Sequence, residues 1–424
     1  MFRTVAIVVV LAVTCAAPRA TAAQTINCDT TGKVLHTRDV MDRFYLWYDR
    51  MPAVDAARFD SPEAFLEAVR YRPIDNAFSW VTSRESYEAL FRSSQSVGIG
   101  ISTVVQGSEL RVRQVFPGSA AEEAGLSRGD GIVEIDRQAV AALIASGQIN
   151  SAFGGAEEAV DVTFITTAGT RRTAHILKRP YTIPTLSHTR VYTAGGRRVG
   201  YIFFRNFVEP SFEAIDTAFA SLGAERIDDL VLDLRYNGGG LVDVAQHLAS
   251  YIGGVRTEGQ IFGEYFHNDK QAALNRILRF EKKPAVAPLD RLIVITTGSS
   301  ASASELVINA LRPFMPVILI GDRTYGKPVG QRVFTFCDKA LAPVSFVLRN
   351  ANGEGDFFEG FAPTCSAADD LTFQIGDPNE ASLKEALVFA GTGACTPRPA
   401  GTLQSVERVP TEKAEGWQSV VNAH

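Results

Sequence analysis

The sequence predicts a multidomain α/β protein, and three observations predict it. At 424 residues the chain is longer than one ordinary domain. Residues 183–396 alternate apolar, β-branched runs with helical stretches, the pattern of a mainly parallel sheet with helices packed on its faces. Ahead of that region the texture changes twice, with residues 24–95 reading as a small helical domain and residues 96–182 as short strands and turns. A content of 46% hydrophobic and 21% charged residues is that of a globular protein with ample core. The formal charge of −5, with no basic face to offset it, argues against a nucleic-acid partner.

Residues 1–23 read as a secretory signal. Arg3 supplies the charge, Val5 to Ala17 the apolar run, and Ala20-Thr21-Ala22 or Thr21-Ala22-Ala23 a small-residue cleavage site. The run is short for a membrane-spanning helix. Cys15 would anchor the chain to a membrane if lipidated, but Thr14 is bulkier than the residue such a site takes. The expectation is therefore export, to a bacterial periplasm or cell envelope. Four cysteines follow, Cys28, Cys337, Cys365 and Cys395. An even number in an oxidising compartment predicts two disulfides, in any of three connectivities. No His–Cys spacing supports zinc, and neither metal nor cofactor is expected.

In residues 24–95, Asp39, Val40, Phe44, Leu46 and Trp47 mark a first amphipathic helix, and Ser61-Pro62 opens a second as N-cap and first helical residue. The aromatic run Tyr45 to Tyr48 reads as core rather than as a binding surface. From Val97 the chain carries Gly98-Ile99-Gly100-Ile101, a strand from Leu110 to Val115, and the segment GLSRGDGIVEI from Gly125 to Ile135. Strands from Val160 to Thr167 and Arg172 to Leu177 close this unit near residue 182. Next come a strand from Arg198 to Phe204, a helix opened by Pro210, a buried strand from Leu230 to Leu234, and a helix from Val242 to Ile252 behind a glycine-rich turn. Residues 397–424 read as a polar C-terminal extension.

The chemistry concentrates between Gly298 and Gln331. Arg291 to Thr297 and Val317 to Ile320 read as buried strands, and between them Leu306, Val307, Ala310 and Leu311 share one face of a short helix that Pro313 stops. Ser302 thus lies at a strand-to-helix junction, where unpaired amides and the helix dipole favour developing negative charge. Lys327 follows 25 residues later, just past the second strand. One helix and one strand return a chain to the same edge of a parallel sheet, so the two residues are expected to meet there. A lysine serves as general base only when its pKa is pulled far below the ordinary value, which the apolar Val317 to Ile320 surroundings would do. Ser302-Ala-Ser-Glu305 also has the form of a capping box, in which Ser302 would only cap the helix. Gly321 to Lys327 matches the start of a phosphate-binding loop, but Pro328 stands where Ser or Thr should hold magnesium.

The run SASASE, a lysine 25 residues on after glycine, and Gln331 four residues later resemble the signature of the C-terminal processing, or tail-specific, peptidases, which are Ser-Lys endoproteases. The block Asp233-Leu-Arg-Tyr-Asn-Gly-Gly239-Gly240 is similar to a second family motif. The resemblance implies Ser302 as nucleophile, Lys327 as general base and Gln331 as the residue that orients the lysine. It also implies an oxyanion hole built from the amides of Ala303 and of Gly239 or Gly240. Where the family commonly has Gly-Lys-Gly, this chain has Gly326-Lys327-Pro328. Residues 96–182 resemble a circularly permuted PDZ domain, with Gly98, Ile99, Gly100 and Ile101 as the peptide carboxylate-binding loop and Gln138 to Ala145 supplying the groove helix. For residues 183–396 the resemblance implies a crotonase-like, ClpP-like α/β protease core.

The expected protein is an exported serine endopeptidase that binds protein C-terminal tails and cuts peptide bonds through an acyl-enzyme. An oligomer or an activating adaptor would be compatible with it. Two alternatives stand beside it: a catalytically silent PDZ receptor for tails, and a hydrolase of a non-peptide acyl substrate. Covalent labelling of Ser302 separates the first from an enzyme.

Overall fold

The computed structural model describes residues 26–75, 77–149, 151–153, 159–284 and 288–397. The secretory signal, Cys15 and nearly all of the C-terminal extension lie outside them. The centre of the protein is a six-stranded sheet in the order Leu186–Ala194, Arg197–Phe204, Asp229–Asp233, Arg291–Thr296, Val317–Gly321, Cys365–Ser366. The first pair is antiparallel and the rest are parallel. Alternate residues of each strand face opposite layers. Ile202, Phe204, Leu230, Leu232, Leu292 and Val294 pack under the helices Ser211–Ala224, Val242–Gly253 and Ala303–Leu311. Val199, Tyr201, Phe203, Val231, Ile293 and Ile295 pack under the helix Ala381–Thr392. Cover on both faces is why these strands read as continuous apolar runs. The helix Ala303–Leu311 is buried on every side, so its apolar stripe understated its burial.

Residues 101–177 form a second sheet in the order Ile101–Gln106, Glu109–Val115, Gly131–Ile135, Ala159–Ile165, Arg171–Leu177. Ile101–Gln106 is its edge. The expected groove helix begins only at Val140, because Gln138–Ala139 pairs with Glu134 and Ile135 as a short strand.

The N-terminal region is helical, with Thr30–Phe44, Pro62–Val69 and Arg84–Ser93. Leu46 and Trp47 lie beyond the end of the first helix, whose extended C-cap Tyr45 turns the chain. The region is not self-contained. Its strand Trp80–Ser83 pairs with Lys339–Ala342 of the core, and its hydrophobic cluster around Val34, Met41 and Phe65 includes Val329, Leu341 and Val344. Cys28 is bonded to Cys337 across that junction, and Cys365 is bonded to Cys395 behind the central sheet.

Candidate active site

Three parallel strands end on one side of the central sheet, and each delivers part of a single cleft. Beyond Asp233 the chain makes the turn Arg235-Tyr236-Asn237-Gly238-Gly239-Gly240, beyond Thr296 it reaches Ser302, and beyond Gly321 it reaches Lys327. The cleft encloses ≈ 540 Å³ and is lined by Ser302, Ala303, Lys327, Gln331 and Gly240 among others. Apolar walls come from Leu306, Phe346 and Leu348 on the core side and Trp80, Tyr87 and Phe91 on the N-terminal side.

Ser302 adopts φ 56° and ψ −112°, a left-handed backbone that a side chain takes only when its surroundings force it. The forcing contacts are visible. The Ala301 amide donates to the Asn237 carbonyl at 3.0 Å, Ser304 Oγ donates to the same oxygen at 2.9 Å, and Ser300 Oγ donates to the Leu234 carbonyl at 2.7 Å. The Ser302 amide donates to Glu305 Oε2 at 2.9 Å. The capping-box and nucleophile readings are therefore not exclusive, since Glu305 fixes the backbone of Ser302 while the side chain lines the cleft.

Glu305 does more than cap. Fully buried, it also accepts from Thr324 Oγ1 at 2.6 Å, from the Gly326 amide at 2.7 Å and from the Lys327 amide at 2.8 Å. Burial pushes its carboxyl up, against these hydrogen bonds. One carboxylate thus ties the backbones of Ser302 and Lys327 together. The SASASE motif contains the residue, but nothing in sequence shows that it reaches the lysine loop.

Lys327 is 7% exposed and, among the described residues, forms no ion pair. Burial pulls its amine down to about 8, against the opposing pull of Asp75 and Glu305. Part of its cover comes from an unexpected quarter. Besides the Val317 to Ile320 strand that the sequence points to, the N-terminal region contributes, with Phe78 placing its ring centroid 5.9 Å from Nζ. Gln331 is held from the same side, its Nε2 donating to the Phe78 carbonyl at 2.7 Å. Pro328 is accommodated without harm to the loop, because the Gly326 and Lys327 amides, not that of residue 328, are the ones Glu305 needs.

The glycine turn is packed against the serine. A Cβ on Gly239 would lie 2.8 Å from the Ser302 Cβ and 2.9 Å from the Ala303 nitrogen, and φ is +105° there. Its amide donates to Asn237 Oδ1 at 2.9 Å, which leaves the amides of Gly240 and Ala303 as the pair without a partner among the described residues. Gly240 is held by a bridge to Phe207, where its Cβ would fall 2.0 Å from the carbonyl oxygen.

The back of that turn carries the PDZ-like sheet. Buried Arg128 donates from Nη1 to Tyr236 Oη and to the Arg113 carbonyl, both at 2.6 Å, and from Nη2 to Asp369 Oδ1 at 3.1 Å. Tyr236 in turn donates to Asp369 at 2.7 Å. Burial opposes the Asp369 charge, yet Arg235, Arg128 and Arg113 hold its carboxyl below the usual range. This network was not legible in the sequence. In the Gly98 to Ile101 loop, the Ile99 and Gly100 carbonyls accept from the Ala121 and Phe116 amides at 2.9 Å, and both isoleucine side chains are buried in the domain core. The loop therefore offers backbone, not side chains, to a ligand.

Residues 198–366 match the family described as peptidase family S41, residues 38–80 the peptidase S41 N-terminal domain, and residues 89–156 the PDZ domain. A chloroplastic C-terminal processing peptidase of Tetradesmus obliquus is 26% identical over 281 residues, covering 62% of this chain and 59% of that protein. A carboxyl-terminal-processing protease of a Picosynechococcus species is 28% identical over 285 residues, covering 63% of each. The chain thus spans less than two thirds of the length of these curated relatives. A crystal structure from Bacteroides fragilis, described as an S41 protease, superposes with a TM-score of 0.68 at 26% identity, covering 85% of this chain and 97% of that one. The photosystem II D1 C-terminal processing protease shares the fold, with a TM-score of 0.50 at 23% identity over 80% of this chain and 93% of its own.

Proposed function

We propose, from the match of residues 198–366 to peptidase family S41 and of residues 38–80 to its N-terminal domain, that the chain is an exported serine endopeptidase that engages protein C-terminal tails and cuts them through a Ser302–Lys327 dyad. The observation that carries the proposal is a buried lysine, without an ion pair among the described residues, lining one cleft with a serine held in a forced backbone conformation. A purely structural lysine would be expected to reach solvent or a carboxylate.

In the proposed reaction Ser302 Oγ attacks the carbonyl carbon of a peptide bond while Lys327 Nζ takes its proton. Negative charge gathers on the carbonyl oxygen, to which the Gly240 and Ala303 amides donate. The Lys327 ammonium returns the proton to the leaving amine, and water resolves the acyl-enzyme by the same relay. Gln331 orients the amine, and Gln331 is itself oriented by Phe78. The tail is proposed to add as a strand to the edge Ile101–Gln106, its carboxylate meeting the Gly98 to Ile101 amides. Export rests on the N-terminal signal and agrees with two disulfides.

Ser302→Ala tests the proposal. The variant is expected to fold, to bind tails and to lose proteolysis and labelling by a serine-directed fluorophosphonate. Turnover by the folded variant near the parent rate would return Ser302 to a capping role alone.

A further inference from the structure

Asp75, in the N-terminal region, is fully buried 252 positions ahead of Lys327 in the chain and belongs to none of the motifs above. Its Oδ1 accepts from the Phe78 and Ser79 amides, both at 2.9 Å, and its Oδ2 from Tyr45 Oη at 3.0 Å and Ser79 Oγ at 2.5 Å. Four donors on one carboxylate lock Phe78 and Ser79 against Asp75. The locked pair reaches the catalytic side at two points. The Phe78 carbonyl accepts from Gln331 Nε2, and Ser79 Oγ accepts from the Val344 amide at 2.9 Å, Val344 being the residue paired with Gln331 across the sheet. Tyr45 is secured in turn, its hydroxyl accepting from the Tyr71 amide at 3.1 Å and its carbonyl from Asn268 Nδ2 at 2.9 Å.

We propose that Asp75 is a positioning residue of the catalytic site: it holds the Phe78 carbonyl on the Gln331 amide nitrogen, so that the Gln331 oxygen is presented on the opposite side, and it sets the charge around Lys327. The inference rests on the Ser302–Lys327 reading. A carboxamide with its nitrogen engaged by a carbonyl has one orientation left for its oxygen, so a lock that fixes the carbonyl fixes the glutamine. The charges acting on the Lys327 amine come from two elements, Asp75 in the N-terminal region and Glu305 in the nucleophile helix, and both favour the ammonium against burial. The Phe78 ring acts in the same sense. Asp75 therefore works against burial and favours the ammonium, the form that holds the proton taken from serine.

Two substitutions separate the two roles. In Asp75→Asn the amide oxygen still accepts from Phe78 and Ser79, and the two hydroxyls can rotate to meet the new NH₂, so the lock stays and the charge goes. The rate of Ser302 labelling by a fluorophosphonate, followed against pH, is expected to keep its plateau while its acid limb moves to lower pH. Asp75→Ala removes the lock, and its plateau is expected to fall about tenfold, a misplacement effect, but much less in a Gln331→Ala background. Tyr45→Phe, which weakens the lock and leaves the carboxylate, should keep the parent's acid limb. A folded Asp75→Asn whose acid limb coincides with the parent's would overturn the inference, as would losses from Asp75→Ala and Gln331→Ala that simply multiply. Equal labelling of Ser302→Ala would instead refute the dyad itself, so the two failures are distinguishable.

Discussion

Replacing Lys327, the proposed catalytic base, should stabilise the protein. Lys327 sits at about 8 in the folded chain against an ordinary 10.5, chiefly because burial disfavours its ammonium. At ~1.4 kcal/mol for each tenfold change in the protonation equilibrium, that gap corresponds to on the order of 3 kcal/mol. Between the two values the unfolded chain holds a proton that the folded chain has released, so folding gains stability as pH rises through this window. Below about 8 the penalty is present in full, and above 10.5 it is gone. Lys327→Met keeps the apolar stem and removes the amine, so it is expected to exceed the parent in stability at pH 7 and to lose that margin as the pH approaches 10. The comparison belongs in a Ser302→Ala background, so that proteolysis through Ser302 cannot contribute, and is read from urea midpoints at unchanged slope. A variant less stable than its parent at pH 7, or a margin that does not change with pH, would refute the argument from burial. With Lys327 as the proposed base, the same value places the acid limb of activity near pH 8, since only a neutral amine could accept the serine proton.

Gly239→Ala is expected to reduce Ser302 labelling by at least a hundredfold, because the new methyl meets the serine Cβ and the Ala303 nitrogen at under 3 Å; a folded variant labelled at the parent rate would exclude the turn from the site. Arg128→Met strips hydrogen bonds from Tyr236, Asp369 and the Phe373 carbonyl and leaves Asp369 short of a partner, at a cost of roughly 3 to 5 kcal/mol. The PDZ-like sheet should then melt ahead of the core in calorimetry, and a single merged transition would count against that docking role. Alkylation of the unfolded, unreduced protein should find no thiol among Cys28, Cys337, Cys365 and Cys395, and Cys337→Ser should cost about 2 to 5 kcal/mol; recovery of four labelled cysteines would reject both crosslinks.

The parts of the fold legible in the sequence are those with a local cause. The strand Arg291–Thr296 and the helix behind Ser302 follow from an apolar run, a capping pattern and a terminating proline. Their meeting with Lys327 follows from the handedness of the crossover. What could not be read were contacts between distant segments. Glu305 carries a local signal as a cap, but its bonds to Gly326 and Lys327 depend on how the next strand ends. Asp75 lies in an ordinary polar turn, and Arg128 in a loop motif whose glycine and aspartate explain the turn without it. The strand Trp80–Ser83 escaped notice for the same reason, since four residues with one charged neighbour become a strand only when Lys339–Ala342 pairs with them.

Those distant contacts all serve one physical need. A serine–lysine dyad requires an amine kept from water, yet the cleft must stay open to a peptide, and the central sheet alone cannot supply both. Leu306, Phe346 and Gly240 line the cleft with Ser302 on the core side, and the Phe78 ring stands by the Lys327 amine from the N-terminal side. The N-terminal region provides cover through Phe78 and the residues locked to Asp75, and it cannot drift away freely. Trp80–Ser83 is hydrogen-bonded to Lys339–Ala342 in a separate three-stranded sheet, and Cys28 is bonded to Cys337, next to that partner strand. Lowering the amine to about 8 works against folding by the amount estimated above, and the forced backbone at Ser302 adds on the order of 1 to 3 kcal/mol. Both costs fall at the cleft, while the interactions that offset them, the two packed layers of the sheet and the bond that staples the cover, lie outside it. Loosening the cover would therefore relieve the lysine while disarming it, so that a chain lacking the Cys28–Cys337 bond should lose activity before it loses its core.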